Sequence, residues 1–126
     1  MEEFETYQSE ARQRWGDTAA YKEYAEKTNN YGKDKWNSVV VDLDLIFAAF
    51  ALCMKNGNAP DTGEAQGLVE KLQSHITDNY YTCTREILSG LGQMYVADER
   101  FRKNIDKHAD GTAAYAGAAI AHYCKK

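Results

Sequence analysis

The sequence predicts an all-α fold of about seven helices. Apolar residues recur at intervals of three and four along most of the chain, and no segment of useful length alternates with period two. A single proline among 126 residues leaves room for long uninterrupted helices. The chain is long enough to bury a hydrophobic core, and no repeat or linker divides it. We therefore expect one domain over residues 1–126.

The first three predicted helices are bounded by glycines and capping residues. The first covers residues 2–14, and the second, after Gly16, covers about 17–31. Gly32 ends the second, and the third runs from about 34 to 56, where Asn56-Gly57 closes it. This third helix is apolar on nearly all sides, which is typical of a central, buried helix.

Four more helices follow a loop that contains Pro60. The fourth covers about 64–79, and Thr82 or Thr84 can cap the fifth, which extends to Val96. Asp98 starts the sixth, whose acidic residues come before its basic ones, as the helix dipole favours. The seventh is rich in alanine and covers about 112–124.

Charge and cysteine content exclude several classes of function. The formal net charge is −4 and no dense cluster of Lys and Arg is present, so we expect no direct contact with nucleic acid. Three widely spaced cysteines do not suggest a disulfide framework and fit a reducing cytoplasm. No signal peptide is visible, and the apolar run 39–54 is shorter than the ~20 residues of a membrane span. We expect a cytoplasmic protein that does not contact the membrane.

Cys83 is the first candidate functional residue. On a helix it shares one face with Ile87, Gly90, Leu91 and Met94, because steps of three and four residues align. A glycine inside a helix costs about 1 kcal/mol relative to alanine, so Gly90 needs a structural reason. Two interpretations remain open: close helix packing around a small buried cysteine, and the wall of a pocket that needs empty volume.

The alanine-rich helix and the aromatic residues leave similar alternatives. Tyr115 is one of the few large residues in that helix, and small residues such as Ala119 fit either close packing or the floor of a wide cleft. Trp36 and Tyr81 have the flat rings that stack on heterocyclic ligands. Aromatic residues at helical spacing are nevertheless more often part of a core, and we expect Trp36 to be mainly structural.

The sequence does not favour an enzyme. His75, His108 and His122 lack metal-ligand spacing with one another or with the cysteines, so we expect no metal site. Cys83 and His75 would suit a nucleophile–base pair, but the sequence supplies no third group to orient them. We expect no catalytic residue and no cofactor. A haem group, the weakest alternative, would require one of the three histidines as its axial ligand.

Several segments carry a family resemblance. Residues 91–95, Leu-Gly-Gln-Met-Tyr, are followed by Asp-Glu-Arg-Phe at 98–101 and by Asn-Ile-Asp at 104–106. Further matches are Arg-Trp-Gly-Asp-Thr at 14–18 with Tyr21, Lys33 with Trp36, and Gly111 with Ala-Ala-Tyr at 113–115. In their order and spacing these segments resemble the TipAS domain, the antibiotic-recognition half of a branch of MerR-type transcription regulators, and the resemblance covers about 14–123.

This resemblance implies a globin-like arrangement of helices around a cleft that binds bulky amphipathic antibiotics such as thiopeptides. Family members that capture thiopeptides covalently carry a cysteine directly before the Leu-Gly-x-Met-Tyr run, where this chain has Gly90, and Cys83 matches an additional cysteine of those members. We therefore expect reversible binding. The residues that we expect to line the cleft are Trp36, Tyr81, Cys83, Ile87, Gly90, Leu91, Met94, Tyr115 and Ala119.

The resemblance also implies a biological context. In the multidomain regulators a winged helix-turn-helix contacts DNA and a coiled coil joins it to the antibiotic-binding domain, and neither is found in these 126 residues. We expect either the effector domain of a MerR-type transcriptional activator, dimeric in the full-length regulator, or a stand-alone drug-sequestering protein. The alternative function is a helical protein–protein interaction module whose cleft receives an amphipathic helix.

Overall fold

Six α-helices follow one another along residues 19–125, the part of the chain that this computed structural model describes. They are α1 (Ala19–Thr28), α2 (Lys33–Lys55), α3 (Gly63–Asn79), α4 (Arg85–Ala97), α5 (Glu99–Asp106) and α6 (Thr112–Cys124). No β-strand occurs within these residues, which confirms the predicted all-α class. The helix predicted over 2–14 and the motif at 14–18 lie outside the described residues.

Side-chain caps fix several of the predicted boundaries. The Thr84 hydroxyl accepts a hydrogen bond from the Ile87 N–H at 3.2 Å, and the Asp98 carboxylate accepts one from the Arg100 N–H at 2.9 Å. Each oxygen thereby satisfies a donor that the first helical turn leaves unpaired. Gly111 precedes α6 with a φ of 90°, a backbone conformation that favours glycine. These local signals explain why the helix starts were predictable.

The alanine-rich helix α6 lies at the centre of the fold and packs against α2, α3, α4 and α5. Its Ala113, Ala116 and Ala119 are fully buried. Small side chains let four neighbouring helices approach one axis, and Ile120 fills the remaining space without any exposure. The sequence left open whether these small residues allow close packing or form the floor of a cleft. On the buried side of α6 they allow close packing.

Helix α2 corrects one prediction. Its Phe47 and Phe50 belong to the core. Val41, Leu45 and Leu52 lie on another side of the helix and are 55–61% exposed. The expectation of a helix buried on all sides is therefore wrong, because α2 has packing partners on one side only within the described residues. By length and composition α2 would also qualify to cross a membrane, a test that core helices of soluble proteins pass as well.

Helix α1 is attached to the rest of the fold partly through polar side chains. The Glu23 carboxylate accepts hydrogen bonds from the Thr82 N–H at 2.8 Å and from the Thr82 hydroxyl at 2.9 Å. Just beyond the helix, the Tyr31 hydroxyl donates to the Asn79 carbonyl at 2.6 Å. The Lys27 ammonium group donates to the backbone carbonyl of Thr77, near the end of α3. These bonds hold α1 beside the α3–α4 connection.

Candidate functional site

One face of α4 carries apolar residues that are neither fully buried nor fully exposed. Ile87, Leu91 and Met94 follow one another at spacings of four and three residues, so they lie on one face. All three pack against the core while keeping part of their surface accessible. Gly90 is exposed on the same helix, and a Cβ built on it would have no neighbouring atom within 4 Å. This face combines apolar surface with empty space.

Gly92, two residues further on, has a different environment. A Cβ built there would lie 2.9 Å from Ile120 Cγ2 and 3.2 Å from Ile120 Cβ. Gly92 therefore permits the close approach of α4 and α6. Gly117 in α6 has the same role, since a Cβ built on it would lie 2.7 Å from Val96 Cγ2. Gly92 is therefore explained by close helix packing, whereas Gly90 faces open space.

An aromatic cluster lies where α1, the start of α2 and the end of α3 meet. Trp36 is its centre: the ring centroids of Tyr31, Tyr80 and Tyr24 lie 5.2, 6.2 and 6.5 Å from that of the indole. All four residues are half-buried. Mutual ring contacts of this kind add to stability beyond the area they bury. Trp36 therefore has the structural role that the sequence predicted, and it also keeps exposed ring surface.

Tyr81 connects this region to α4. It is half-buried and packs against the core. Burial, with smaller contributions from Cys83 and Tyr24, raises its pKa to about 12. Its phenol group is therefore neutral at physiological pH, and a neutral phenol combines an apolar ring with a hydrogen-bonding hydroxyl.

Cys83 lies inside the core, with 3% of its surface exposed. Burial, and to a lesser extent the neighbouring Cys124, raises the pKa of its thiol to about 11. A catalytic cysteine needs the opposite shift. The His75 Nδ1 atom faces the Asn79 side-chain nitrogen at 3.3 Å, and burial lowers the pKa of His75. The two residues therefore do not form the activated nucleophile–base pair that the sequence left open.

Tyr115 and Ala119, two of the predicted lining residues, lie in the core. The Tyr115 hydroxyl donates to the Asn58 carbonyl at 2.8 Å and contacts Cys53 Sγ at 3.2 Å. Ala119 is fully buried, and its carbonyl accepts a hydrogen bond from Gln66 Nε2 at 3.0 Å. Neither side chain faces an open surface here, because α6 is surrounded by other helices. The predicted residues that retain accessible surface are Trp36, Tyr81, Ile87, Gly90, Leu91 and Met94.

A shallow cleft that the sequence did not indicate lies on another side of α4, beside α6. Its volume is about 330 Å³. It follows from the same small residues that let the helices cross, since missing side chains leave a groove beside the contact. The lining residues are Ser89, Gly92, Gln93, Val96, Ala97, Gly117 and Ala121.

One of the three histidines takes part in a hydrogen-bonded arrangement between the α5–α6 connection and α2. His108 Nε2 lies 3.0 Å from Asp44 Oδ1, and the same oxygen accepts a hydrogen bond from Lys107 Nζ at 3.0 Å. This arrangement holds the connection between α5 and α6 against α2. Among residues 19–125, no group of three or more His, Cys, Asp or Glu side chains is placed to bind a metal ion.

Comparison with known proteins places this geometry in a family. The sequence profile of the TipAS antibiotic-recognition domain matches residues 7–123. The transcriptional activator TipA of Streptomyces coelicolor is 40% identical over 114 residues, which cover 90% of this chain and 45% of TipA. The activator Mta of Bacillus subtilis is 37% identical over 120 residues, 95% of this chain and 46% of Mta. The chain thus spans about half the length of these relatives.

A solved structure agrees with the sequence relatives. It is the complex of TipAS from Streptomyces lividans with nosiheptide, described as part of a thiopeptide antibiotic multidrug resistance system. The two folds superpose with a TM-score of 0.85 at 37% sequence identity, over 96% of this chain and 85% of that one.

Proposed function

We propose that this chain, which belongs to the TipAS antibiotic-recognition domain family, binds a bulky amphipathic antibiotic without transforming it chemically. The observation that carries the proposal is the α4 face, where half-buried apolar residues lie beside the empty space at Gly90. The profile match over residues 7–123 and the likeness to a nosiheptide-binding fold support the same function.

The proposed ligand site joins this α4 face to the aromatic cluster. Ile87, Leu91 and Met94 supply aliphatic surface, and Tyr81 and Trp36 supply rings for flat heterocycles. Affinity comes mainly from apolar burial, at about 25 cal/mol per Å² before ordering costs. Cys83, Tyr115 and Ala119 support the site from within the core and do not contact the ligand in this arrangement.

Binding is reversible in this proposal. The α4 position that carries a capturing cysteine in some family members is Gly90 here. Cys83 remains, but it is buried and its thiol has a pKa of about 11, so very little thiolate exists near pH 7. Addition to an electrophilic ligand would need that thiolate.

In its cellular context the chain would be the ligand-sensing half of a cytoplasmic MerR-type activator. This assignment rests on the relatives TipA and Mta, which are transcriptional activators about twice as long as the matched region. DNA contact and dimerisation would belong to the other half. A stand-alone protein that sequesters the drug would use the same site.

Nosiheptide titration of paired variants tests the site. Gly90→Leu fills the open space on the α4 face, and Gln93→Leu places the same side chain on the exposed side toward the α4–α6 cleft. We expect Gly90→Leu to weaken binding at least tenfold and Gln93→Leu to leave it unchanged, with equal helix content by circular dichroism. Unchanged affinity in Gly90→Leu would remove this face from the site. Loss in Gln93→Leu alone would move the site to the cleft.

The alternative function also has one observation in its favour. Val41, Leu45 and Leu52 form an exposed apolar row on α2, and the eleven steps from Val41 to Leu52 cover about 16 Å at 1.5 Å per residue. That length suits an amphipathic helix, and the simplest occupant is a second copy of the chain. Sedimentation velocity would then show self-association that Leu45→Glu abolishes. A monomer at high concentration would contradict this alternative.

A further inference from the structure

Two of the three cysteines lie at the same end of the α4–α6 pair. The two helices run antiparallel: Gly92 meets Gly117 near their middle, and Arg85 at the start of α4 meets Cys124 at the end of α6. Cys83 lies two residues before α4 begins. Cys83 and Cys124 are 41 positions apart in sequence, and the antiparallel packing brings them together.

The thiols of these cysteines contact neighbouring peptide units. Cys83 Sγ lies 3.9 Å from the Thr84 carbonyl, and Cys124 Sγ lies 3.3 Å from the Arg85 carbonyl. The Cα atoms of adjacent residues are about 3.8 Å apart, so the two carbonyls are close. Cys124 is also near enough to contribute to the raised pKa of Cys83. The two sulfur atoms therefore lie in one small region.

One glutamine side chain ties both segments together. Gln73 Nε2 donates to the Cys83 carbonyl at 2.8 Å, and Gln73 Oε1 accepts from the hydroxyl of Tyr123, the neighbour of Cys124, at 2.9 Å. The Cys83 N–H is held as well, since it donates to the Thr77 hydroxyl at 3.1 Å. Gln73 thus links the segment that carries Cys83 to the side chain next to Cys124.

We propose that Cys83 and Cys124 are a redox-modification site and form an intramolecular disulfide when the chain meets a low-molecular-weight disulfide. The bond would join the start of α4 to the end of α6. It requires Cα atoms within about 7 Å. The observations that support it are the contacts of the two thiols with the successive carbonyls of Thr84 and Arg85 and the Gln73 bridge. The inference does not depend on the proposed ligand, because it concerns only the chain's own thiols.

The exchange proceeds in two balanced steps. Cys124 is partly exposed, so it reacts first: its sulfur attacks glutathione disulfide, that S–S bond breaks, and one glutathione leaves with the proton that Cys124 lost. The Cys83 sulfur then attacks the Cys124 sulfur, the mixed disulfide breaks, and the second glutathione leaves with the proton from Cys83. Two protein thiols are oxidised, and one glutathione disulfide is reduced to two thiols.

Accessibility and acidity predict which step is slow. Cys83 is buried and its pKa is about 11, so its thiolate fraction rises about tenfold per pH unit between pH 7 and pH 9. The mixed disulfide on Cys124 should therefore close much faster at pH 9 than at pH 7. Cys53 is the internal control, since it lies in α2 and packs against Tyr115 in another part of the core.

Peptide mapping of the full 126-residue chain tests the proposal. The reduced protein is incubated anaerobically with glutathione disulfide, alkylated, and digested with trypsin without reduction. We expect tryptic peptides 72–85 and 108–125 to be joined, while the peptide 36–55, which contains Cys53, is alkylated. In Cys83→Ser the reaction should stop at glutathione on Cys124. In Cys53→Ala the 83–124 disulfide should still form.

Two outcomes would overturn the proposal. In the first, Cys124 still carries glutathione after incubation at pH 9 and Cys83 is still a reduced thiol. The other is a disulfide that joins two chains, visible as a dimer on a non-reducing gel. The peptide map and the non-reducing gel of the wild-type chain together decide between these outcomes without any variant, so a variant that fails to fold does not affect the test.

Discussion

The two glycines of α4 provide a sharp test of the packing described above. Gly90 and Gly92 belong to the same helix and differ by two positions, and Gly→Ala is the same chemical change at both. The gain in helix propensity, about 1 kcal/mol per position, is therefore common to both variants. The difference between their stabilities measures what the added methyl group meets.

The structure gives the sign and the size of that difference. At Gly90 the new Cβ meets no atom within 4 Å, so Gly90→Ala should raise the free energy of unfolding by about 1 kcal/mol. At Gly92 the Cβ would lie 2.9 Å from Ile120 Cγ2. Ile120 is fully buried in α6, which packs against four other helices. Overpacking of this kind costs about 1–3 kcal/mol, so Gly92→Ala should be less stable than Gly90→Ala by that amount.

Urea unfolding of both variants beside the wild type measures the difference directly. Equal slopes with denaturant concentration would show that the two proteins unfold from equally compact states. We expect the order Gly90→Ala above wild type, and Gly92→Ala at or below it. If Gly92→Ala matched or exceeded Gly90→Ala, the described contact between α4 and α6 would be wrong.

Three further predictions concern side chains that form hydrogen bonds between helices or loops. Tyr115→Phe should lower the free energy of unfolding by about 1–2 kcal/mol, because the Asn58 carbonyl loses its hydroxyl donor. Burial acts to raise the pKa of Asp44, but hydrogen bonds from Lys107 and His108 outweigh it and the pKa is lowered. Asp44→Asn should therefore lose up to about 1 kcal/mol at pH 7, a small value because the Lys107 and Asp44 side chains are 50% and 38% exposed and solvent screens their attraction. Glu23→Gln should speed amide hydrogen exchange in α1, because its carboxylate accepts two hydrogen bonds from Thr82.

Each of these predictions has its own decisive measurement. Equal chemical denaturation midpoints for Tyr115→Phe and wild type would show that the hydroxyl contributes nothing. For Asp44 the stabilisation is present above the unfolded pKa and disappears as pH falls through the lowered folded pKa. The variant and wild type should therefore converge in stability once the pH has fallen below the lowered folded pKa of Asp44, and a constant difference would contradict the assignment. Exchange in α1 of Glu23→Gln as slow as in wild type would show that other contacts hold that helix.

Most helix boundaries were predictable because they depend on local chemistry. Thr84, one of the two caps that the sequence offered for α4, and Asp98 do cap their helices, and Gly111 precedes α6 as expected. Burial was less predictable, since it depends on which neighbours are present. The α2 sequence is apolar on nearly every side, yet Val41 and Leu45 are exposed. Hydrophobic pattern alone does not say how many partners a helix finds.

The site shows the same division between local and tertiary information. Periodicity placed Ile87, Leu91 and Met94 on one face, and the structure agrees. Periodicity could not predict that Gly92 is closely packed while Gly90 faces open space. That difference depends on the position of Ile120, which belongs to another helix. Small residues in α6 fitted either a cleft floor or a tight core for the same reason.

The binding of a thiopeptide on the α4 face is tested most directly by NMR of ¹³C-methyl-methionine in the full chain. Met94 lies on that face, and Met54 lies near the end of α2 and serves as the internal control. On titration with nosiheptide we predict a saturable shift of the Met94 methyl resonance, assigned by Met94→Leu, with little change at Met54. Saturable binding that leaves Met94 unchanged, or shifts Met54 alone, would contradict the proposed site.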